Sequence, residues 1–315
     1  MMKPLKPALL ALALAAVAQF TVAQFAVAAE TAAEKPVPYK SWTDILAESP
    51  AGDWRPLDPA NTLYMELPTG RVVMELAPGY VPLHAANIKT LVREKYFDGL
   101  AILRSQDNYV VQWGDPEEDE KKSKSLGTAK ANFDPEFSVA VSADTPFTRL
   151  PDSDVYAGQV GVGNGFAAAR DADGKQTWLT HCYGAVGVAR GNDPTGGNGS
   201  GLYVVIGHAP RHLDRNVTIV GRVVQGMELL STLPRGTGPL GFYEKPEQRT
   251  PIESIRLAAD VPVAEQTRLD VLRTDSPTFA AVTESRRNRR DGWTVAPAGA
   301  IEVCNVQLPV RPGKG

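Results

Sequence analysis

The chain has few of the residues that build metal centres and disulfide frameworks. Its 315 residues include only two cysteines and four histidines. The histidines show no ligand-pair spacing with cysteines or carboxylates, so we predict neither a metal site nor a cofactor. Cys182 and Cys304 can form at most one bridge, which an oxidising compartment would permit. The sequence does not show whether their backbones approach, so this bridge stays open.

An excess of positive charge is also absent. The formal net charge is −3, and it becomes −5 if Lys3 and Lys6 are removed with an N-terminal leader. This balance excludes an extended basic surface for nucleic acid or anionic membranes. The apolar content of 43% is ordinary for a soluble globular protein. The length suits one large domain with an extension, or two domains.

A long apolar run occurs at the N-terminus. Lys3 and Lys6 precede an alanine- and leucine-rich segment that ends at Ala26–Ala29. A basic flank, an apolar run and a small-residue site are the parts of a secretory signal. We predict that residues 1–29 are cleaved and that the mature protein is periplasmic, without stable membrane insertion. An uncleaved anchor is the alternative, but polar residues at positions 19, 21 and 24 interrupt the span.

The most informative stretch is AILRSQDNYVVQWGDP, residues 101–116. Its apolar and polar residues alternate, which predicts strands in which Arg104 and Gln112 share a face. The polar segment Ser105–Asn108 predicts a turn, and Gly114–Pro116 ends the second strand. The stretch therefore predicts a hairpin that presents a guanidinium and an amide. By itself, the pattern also fits a strand pair with an ordinary solvated arginine.

Other short alternating segments predict a mainly β fold. We expect strands at 62–67, 71–76, 184–189, 202–206, 217–224 and 251–257. Helical spacing predicts a helix over Pro82–Lys95, and a short helix starts near Gly226 and stops before Pro234. Many short strands with two clear helices predict a closed β-barrel capped by helices.

The segments outside these strands are less regular. Residues 30–59 are predicted to be a linker, and 117–183 an insertion that opens with a solvated charge run. Gly161–Gly165 and Asp171–Gly174 resemble phosphate and calcium loops, but they lack the required context and are predicted to be plain turns. In the extension 261–315, Ser276 and Pro277 predict a helix start, and alternation over Cys304–Val310 predicts a strand.

Taken together, the segments from Thr62 to Asp260 resemble the cyclophilin family of peptidyl-prolyl cis-trans isomerases. The resemblance rests on NIKTLVREKYFDG (87–99), ILRSQDNYVVQWGDP (102–116), GSGLYVVI (199–206), HLD (212–214), VGRVVQGME (220–228) and PIESIRLA (251–258). It implies a closed eight-stranded antiparallel barrel capped by two helices over residues 60–260. It also implies prolyl isomerase activity on proline-containing segments of unfolded or flexible exported proteins.

The resemblance assigns roles to particular positions. Arg104 falls on the family's catalytic arginine, and a rigid guanidinium suits the stabilisation of a twisted prolyl amide. The positions that would bind substrate are Ile102, Tyr109, Val110, Gln112, Ala189, Arg190, Gly201, Tyr203, His212 and Leu213.

The chain departs from the family pattern at several of these positions. Leu103 and Val217 each stand where the family has a histidine. Arg190 replaces an asparagine, Gly201 replaces a glutamine, and His212 replaces a tryptophan or phenylalanine. Without the tryptophan, the resemblance implies weak cyclosporin binding. The departures leave two alternatives open: a cyclophilin-like peptide-binding or chaperone module with weak or no isomerase activity, and a structural envelope protein.

Overall fold

The computed structural model describes residues 39–117, 121–193 and 195–313. The predicted signal peptide lies outside these residues. Within them, none of the helices is both long and apolar enough to cross a bilayer. The helices are α1 Trp42–Ala47, α2 Pro82–Arg93, α3 Met227–Ser231 and α4 Pro277–Arg287. The strands are β1 Trp54–Pro56, β2 Thr62–Leu67, β3 Gly70–Leu76, β4 Ala101–Ser105, β5 Val110–Gly114, β6 Val139–Ala140, β7 Thr148–Arg149, β8 Gln159–Gly163, β9 Phe166–Arg170, β10 Gln176–Leu179, β11 Ala185–Val188, β12 Leu202–Val205, β13 Ile219–Gln225, β14 Thr250–Pro251, β15 Ser254–Leu257, β16 Leu269–Leu272 and β17 Val310–Pro312.

The main sheet is antiparallel throughout and curls on itself. Its strand order is β14-β4-β5-β12-β11-β13-β3-β2-β15. The outer strands β14 and β15 are separated only by Ile252 and Glu253, whose amides donate to the carbonyls of Leu100 and Glu66. The two edges of the sheet therefore meet. The mainly β class is confirmed, with nine strands in place of the predicted eight because the closing strand is interrupted at these two residues.

The helix α2 begins and packs as its sequence predicts. Pro82 lies in the first turn, where a missing amide proton costs nothing. Ala85, Ile88 and Leu91 are buried on one face, and the helix packs against β15. The carboxylate of Glu136 accepts from the backbone amides of residues 83 and 84, so the predicted insertion caps this helix.

The predicted insertion contains a five-stranded sheet. Its strands follow the order β6-β10-β9-β8-β7. Asp171–Gly174 is a plain turn, as predicted, but Gly161–Gly163 is the end of strand β8, so that only Asn164 and Gly165 of the other segment form a turn. Asn164 and Gly165 both have positive φ in the turn between β8 and β9, and Asp171–Gly174 connects β9 to β10. The charges of residues 118–120 lie outside the described part of the chain.

The predicted linker and the C-terminal extension pair with each other. β1 and β17 flank β16 in a three-stranded antiparallel sheet, in which Trp54 is the register partner of Leu272. The helix start at Ser276 is confirmed, since its side chain accepts from the amide of Phe279. The strand predicted over Cys304–Val310 is wrong, because Val303–Asn305 forms a 3-10 turn and pairing begins only at Val310.

A second core joins the insertion to the C-terminal segment. Trp178 of β10, Phe279 of α4 and Val303 are buried together, apart from the barrel core. Cys182 lies in the same cluster and is bonded to Cys304, with the two Cα atoms 4.9 Å apart. The insertion and the C-terminal segment thus belong to the same compact unit as the barrel.

Candidate active site

The candidate site is built on the hairpin of β4 and β5. Arg104 and Gln112 are register partners, and a β-bulge falls between Ile102 and Arg104. Because side chains alternate along a strand, one extra residue reverses the face of all that follow. Ile102 and its partner Trp113 therefore point into the barrel core, whereas Arg104 and Gln112 point outward.

The guanidinium of Arg104 is held by three acceptors. Its Nη1 donates to Oε1 of Gln112 at 3.2 Å, its Nη2 to Oε1 of Gln106, and its Nε to the carbonyl of Leu240 at 2.7 Å. The ring centroids of Tyr109 and Phe242 each lie 5.4 Å from its Cζ. Partial burial lowers the pKa of Arg104 from its usual value. The side chain is a fixed donor with little freedom to rotate.

A small pocket of about 140 Å³ lies beside this guanidinium. Its walls come from β4, β5, β11, β12 and the segment before β13. The residues that line it are Arg104, Tyr109, Val110, Gln112, Val188, Ala189, Arg190, Tyr203, Leu213 and Val217. The lining is mostly apolar, with Arg104 and Gln112 next to each other, so the pocket can hold a small apolar ring with its adjoining amide next to Arg104.

Three predicted substrate-binding residues lie outside this pocket. Ile102 is fully buried in the barrel core, because the bulge turns it away from Arg104. Gly201 lines a neighbouring cavity of about 830 Å³. His212 is exposed on the 3-10 turn Arg211–Leu213.

Arg190 reaches the pocket, but its donors are engaged by backbone. Its Nε donates to the carbonyl of Asn216 at 2.9 Å. Its Nη1 donates to the carbonyls of Gly191 and Asp193, at 2.9 and 3.0 Å. This arginine therefore holds the backbone around it, and together with Gln112 and Ala189 it lines both the pocket and the larger cavity.

Sequence reasoning missed several residues of the site. Val188 lines the pocket, and Leu240 and Phe242 hold Arg104 from a segment 136 and 138 residues away. Strand alternation did not indicate Val188, because it places Val188 and the predicted Ala189 on opposite faces. No local pattern could have indicated Leu240, because it acts through its backbone carbonyl. Across the described ranges, no three histidine, cysteine or acidic side chains are grouped closely enough to hold a metal ion.

The fold and the site together define a curled antiparallel β-barrel with a small, mostly apolar surface pocket beside a fixed arginine. Residues 62–257 match the family described as "Cyclophilin type peptidyl-prolyl cis-trans isomerase/CLD". The chain therefore belongs to the cyclophilin-type peptidyl-prolyl cis-trans isomerases, and it is an enzyme of that class.

Individual relatives agree with this family. A "Probable peptidyl-prolyl cis-trans isomerase" of Brucella suis is 29% identical over 181 residues, which cover 57% of this chain and 74% of the relative. The "Peptidyl-prolyl cis-trans isomerase-like 1" of Bos taurus is 23% identical over 69% of this chain and 99% of its own. The crystal structure of cyclophilin AquaCyp293 from Hirschia baltica superposes with a TM-score of 0.66 at 24% identity. It covers 89% of this chain and 100% of that one, so the shared fold extends beyond the barrel.

Proposed function

We propose that this protein is an exported prolyl isomerase in which Arg104 stabilises the twisted X-Pro amide of flexible or unfolded chains. The observation that carries the proposal is the guanidinium of Arg104, held by Leu240, Gln106 and Gln112 at the edge of the 140 Å³ pocket.

The reaction needs no covalent chemistry. Rotation about the X-Pro bond crosses a barrier of about 18–20 kcal/mol, because resonance gives that bond partial double-bond character. In the twisted state the prolyl nitrogen becomes pyramidal and gains a lone pair. A donor aimed at this nitrogen binds the twisted state more strongly than either planar isomer, and this difference lowers the barrier. Arg104 is already held in place by its three acceptors, so it pays little reorganisation during the reaction.

The remaining pocket residues can bind the substrate on either side of the reacting bond. Tyr203, Leu213 and Val217 offer apolar contact for the proline ring. Because Oε1 of Gln112 accepts from Arg104, the amide nitrogen of Gln112 is the group available to a peptide carbonyl. Holding both neighbours of the bond lets the enzyme keep one side fixed while the other rotates.

The proposed export has two supports. Residues 1–29 have the basic flank, apolar run and small-residue end of a cleavable signal. The bond between Cys182 and Cys304 is typical of an oxidising compartment, such as the periplasm. Expression of the full chain in a Gram-negative host tests this: a periplasmic protein whose mass lacks residues 1–29 is expected, and a full-length product in the cytoplasm would contradict export.

The pocket also bears on inhibitor binding. His212 is exposed and offers no large aromatic surface at the position where the family has tryptophan or phenylalanine. We therefore propose weak cyclosporin binding, to be measured by titration against inhibition of isomerase activity.

The test of catalysis is a protease-coupled isomerisation assay on short X-Pro peptides with varied X. Wild-type protein should accelerate isomerisation, and Arg104→Ala should lose most of that acceleration. Arg93→Ala removes an exposed arginine paired with Asp260 and is the matched control. If folded wild-type protein accelerated no peptide, the chain would instead be a peptide-binding module, and if Arg104→Ala kept full activity, the role of Arg104 would be wrong.

A further inference from the structure

Tyr203 lines the pocket, and its ring lies across the neighbouring strand of the sheet. Tyr203 on β12 is the register partner of Gly187 on β11. A Cβ atom added at Gly187 would lie 2.2 Å from Cζ of Tyr203 and 2.3 Å from its hydroxyl oxygen. Only glycine therefore leaves room for the ring to cross β11, and the register of β11 against β13 shifts at the same residue.

The hydroxyl of Tyr203 contacts a buried histidine, His181. It lies 2.8 Å from Nε2 of His181, and the two rings are near parallel with centroids 6.3 Å apart. His181 has no exposed surface. Its backbone amide and its Nδ1 both contact Oδ1 of Asp214, at 3.0 and 2.9 Å. The order of contacts is thus Asp214, His181, Tyr203.

The surroundings define which atom donates in each contact. Burial lowers the pKa of His181, so its ring is neutral near pH 7. Burial would raise the pKa of Asp214, but hydrogen bonds from His181 and the charge of Arg211 hold it below its usual value. A carboxylate can only accept, so Nδ1 of His181 carries the proton and Nε2 is an acceptor. Burial also raises the pKa of Tyr203, which therefore keeps its proton and donates it to Nε2.

Asp214 is itself held by a buried arginine. Nε of Arg211 donates to Oδ2 of Asp214 at 2.6 Å, and its two terminal nitrogens contact Asp154 at 3.0 and 3.1 Å. Nη1 also lies 3.3 Å from Glu302, whose other oxygen accepts from the amide of Cys304. Asp154 comes from the insertion and Glu302 from the C-terminal segment. Both segments outside the barrel therefore contribute to the support of Asp214.

We propose that His181 is a positioning residue of the isomerase site, which holds the Tyr203 ring at one orientation beneath the substrate proline. Arg211, Asp154 and Asp214 keep His181 in the tautomer that accepts from Tyr203. The proposal rests on the proposed function of the pocket. Buried polar networks of this kind fix a single geometry more than they add stability. A phenylalanine at position 203 would fill the same volume, but it has no hydroxyl for His181 to hold.

Two amide substitutions separate the two contacts of His181. His181→Asn places an amide near the position of Nδ1, so it keeps the contact with Asp214 and loses the one with Tyr203. His181→Gln places an amide near the position of Nε2 and keeps the reach to Tyr203. We expect His181→Asn to raise KM for X-Pro peptides roughly three- to tenfold with kcat little changed, because the ring contacts both planar and twisted substrate. His181→Gln should restore much of this loss.

His84→Asn is the matched control. His84 is also fully buried and its Nδ1 contacts a carboxylate, that of Glu136 at 2.6 Å, but it does not line the pocket. This variant should lose stability and keep the wild-type KM. Tyr203→Phe provides a second approach if His181→Asn does not fold, and it should raise KM to the same extent.

The outcomes distinguish this inference from the proposed function. An unchanged KM in folded His181→Asn, or in Tyr203→Phe, would overturn the positioning role while the loss of kcat in Arg104→Ala still supported the isomerase site. A KM rise in His84→Asn equal to that in His181→Asn would also overturn it, because the effect would then be general destabilisation. Activity that is insensitive to Arg104→Ala would overturn the proposed function instead.

Discussion

The side chain of Arg104 and the backbone of Leu240 are joined by a hydrogen bond of 2.7 Å across 136 residues of sequence. Leu240 has a φ of 56° and the residue is 67% exposed. A left-handed conformation is costly for leucine, and the exposed side chain recovers little of that cost by burial. The backbone of Leu240 is therefore strained in the conformation in which its carbonyl accepts from Arg104.

This strain predicts a gain in stability on substitution. Leu240→Gly should raise the free energy of unfolding by up to about 1 kcal/mol, since glycine adopts positive φ without a steric cost and the lost apolar contact is small. Urea unfolding measures the difference. Leu240→Ala keeps the backbone restriction and should change stability by less than about 0.5 kcal/mol. Equal effects of the two variants would show that the conformation of Leu240 is not the cause.

The three acceptors around Arg104 predict that lysine cannot replace it. Arg104→Lys keeps the charge, but an ammonium lacks the planar fork that reaches Leu240, Gln106 and Gln112 together. We expect kcat to fall on the order of 100-fold, close to the effect of Arg104→Ala. Arg93→Lys, at an exposed ion pair, should keep wild-type kcat. A lysine variant with near wild-type turnover would mean that charge alone is sufficient.

The Cys182–Cys304 bond predicts a redox dependence of stability. Its two residues are 122 positions apart, so the bond restricts a long loop in the unfolded chain. Reduction should lower the free energy of unfolding by about 2–5 kcal/mol, as measured by urea unfolding with and without dithiothreitol. The double variant Cys182→Ser and Cys304→Ser should unfold near the reduced wild type and not respond to reductant. Identical midpoints for oxidised and reduced wild type would contradict this.

Burial of His181 predicts that stability falls on mild acidification. Asp214 and Tyr203 contact this ring, Arg211 and His212 act on it electrostatically, and burial lowers its pKa in the folded state. Above about pH 6.5 the ring is neutral in both states and contributes no pH dependence. Below it, the unfolded chain takes up a proton that the folded protein does not, so the free energy of unfolding falls until the folded pKa is reached.

The expected slope from this group is at most about 1.4 kcal/mol per pH unit. Urea unfolding between pH 8 and pH 5 measures it, and this window lies above the ordinary range of the carboxylates. His181→Asn has no titrating ring and should show a smaller slope than wild type. Stability that rises from pH 8 to pH 5, or an equal slope in the variant, would contradict the neutral state of His181.

Local patterns were sufficient to predict the elements that carry the site. The alternation in residues 101–116 predicted the hairpin, and the register of Arg104 with Gln112 follows from it. The helix at Pro82 and the cap at Ser276 depend on residues within one turn, so their sequence signals are complete. The bulge in β4 was not predictable in this way, because it places Ile102 and Arg104 on opposite faces although they are two residues apart, and the apolar pair Ile102 and Leu103 before Arg104 gives no sign of it.

The sequence by itself determined the β class and the main hairpins, because periodicity and turn residues act over short distances, and the resemblance to the cyclophilin family indicated the arginine of the site. Only the tertiary structure decided what surrounds that arginine. The carbonyl of Leu240, the passage of Tyr203 over Gly187 and the contact of His181 with Asp214 each join segments far apart in the chain. Such contacts depend on how the barrel closes and on which buried polar atoms need a partner, and no local sequence pattern predicts either of these.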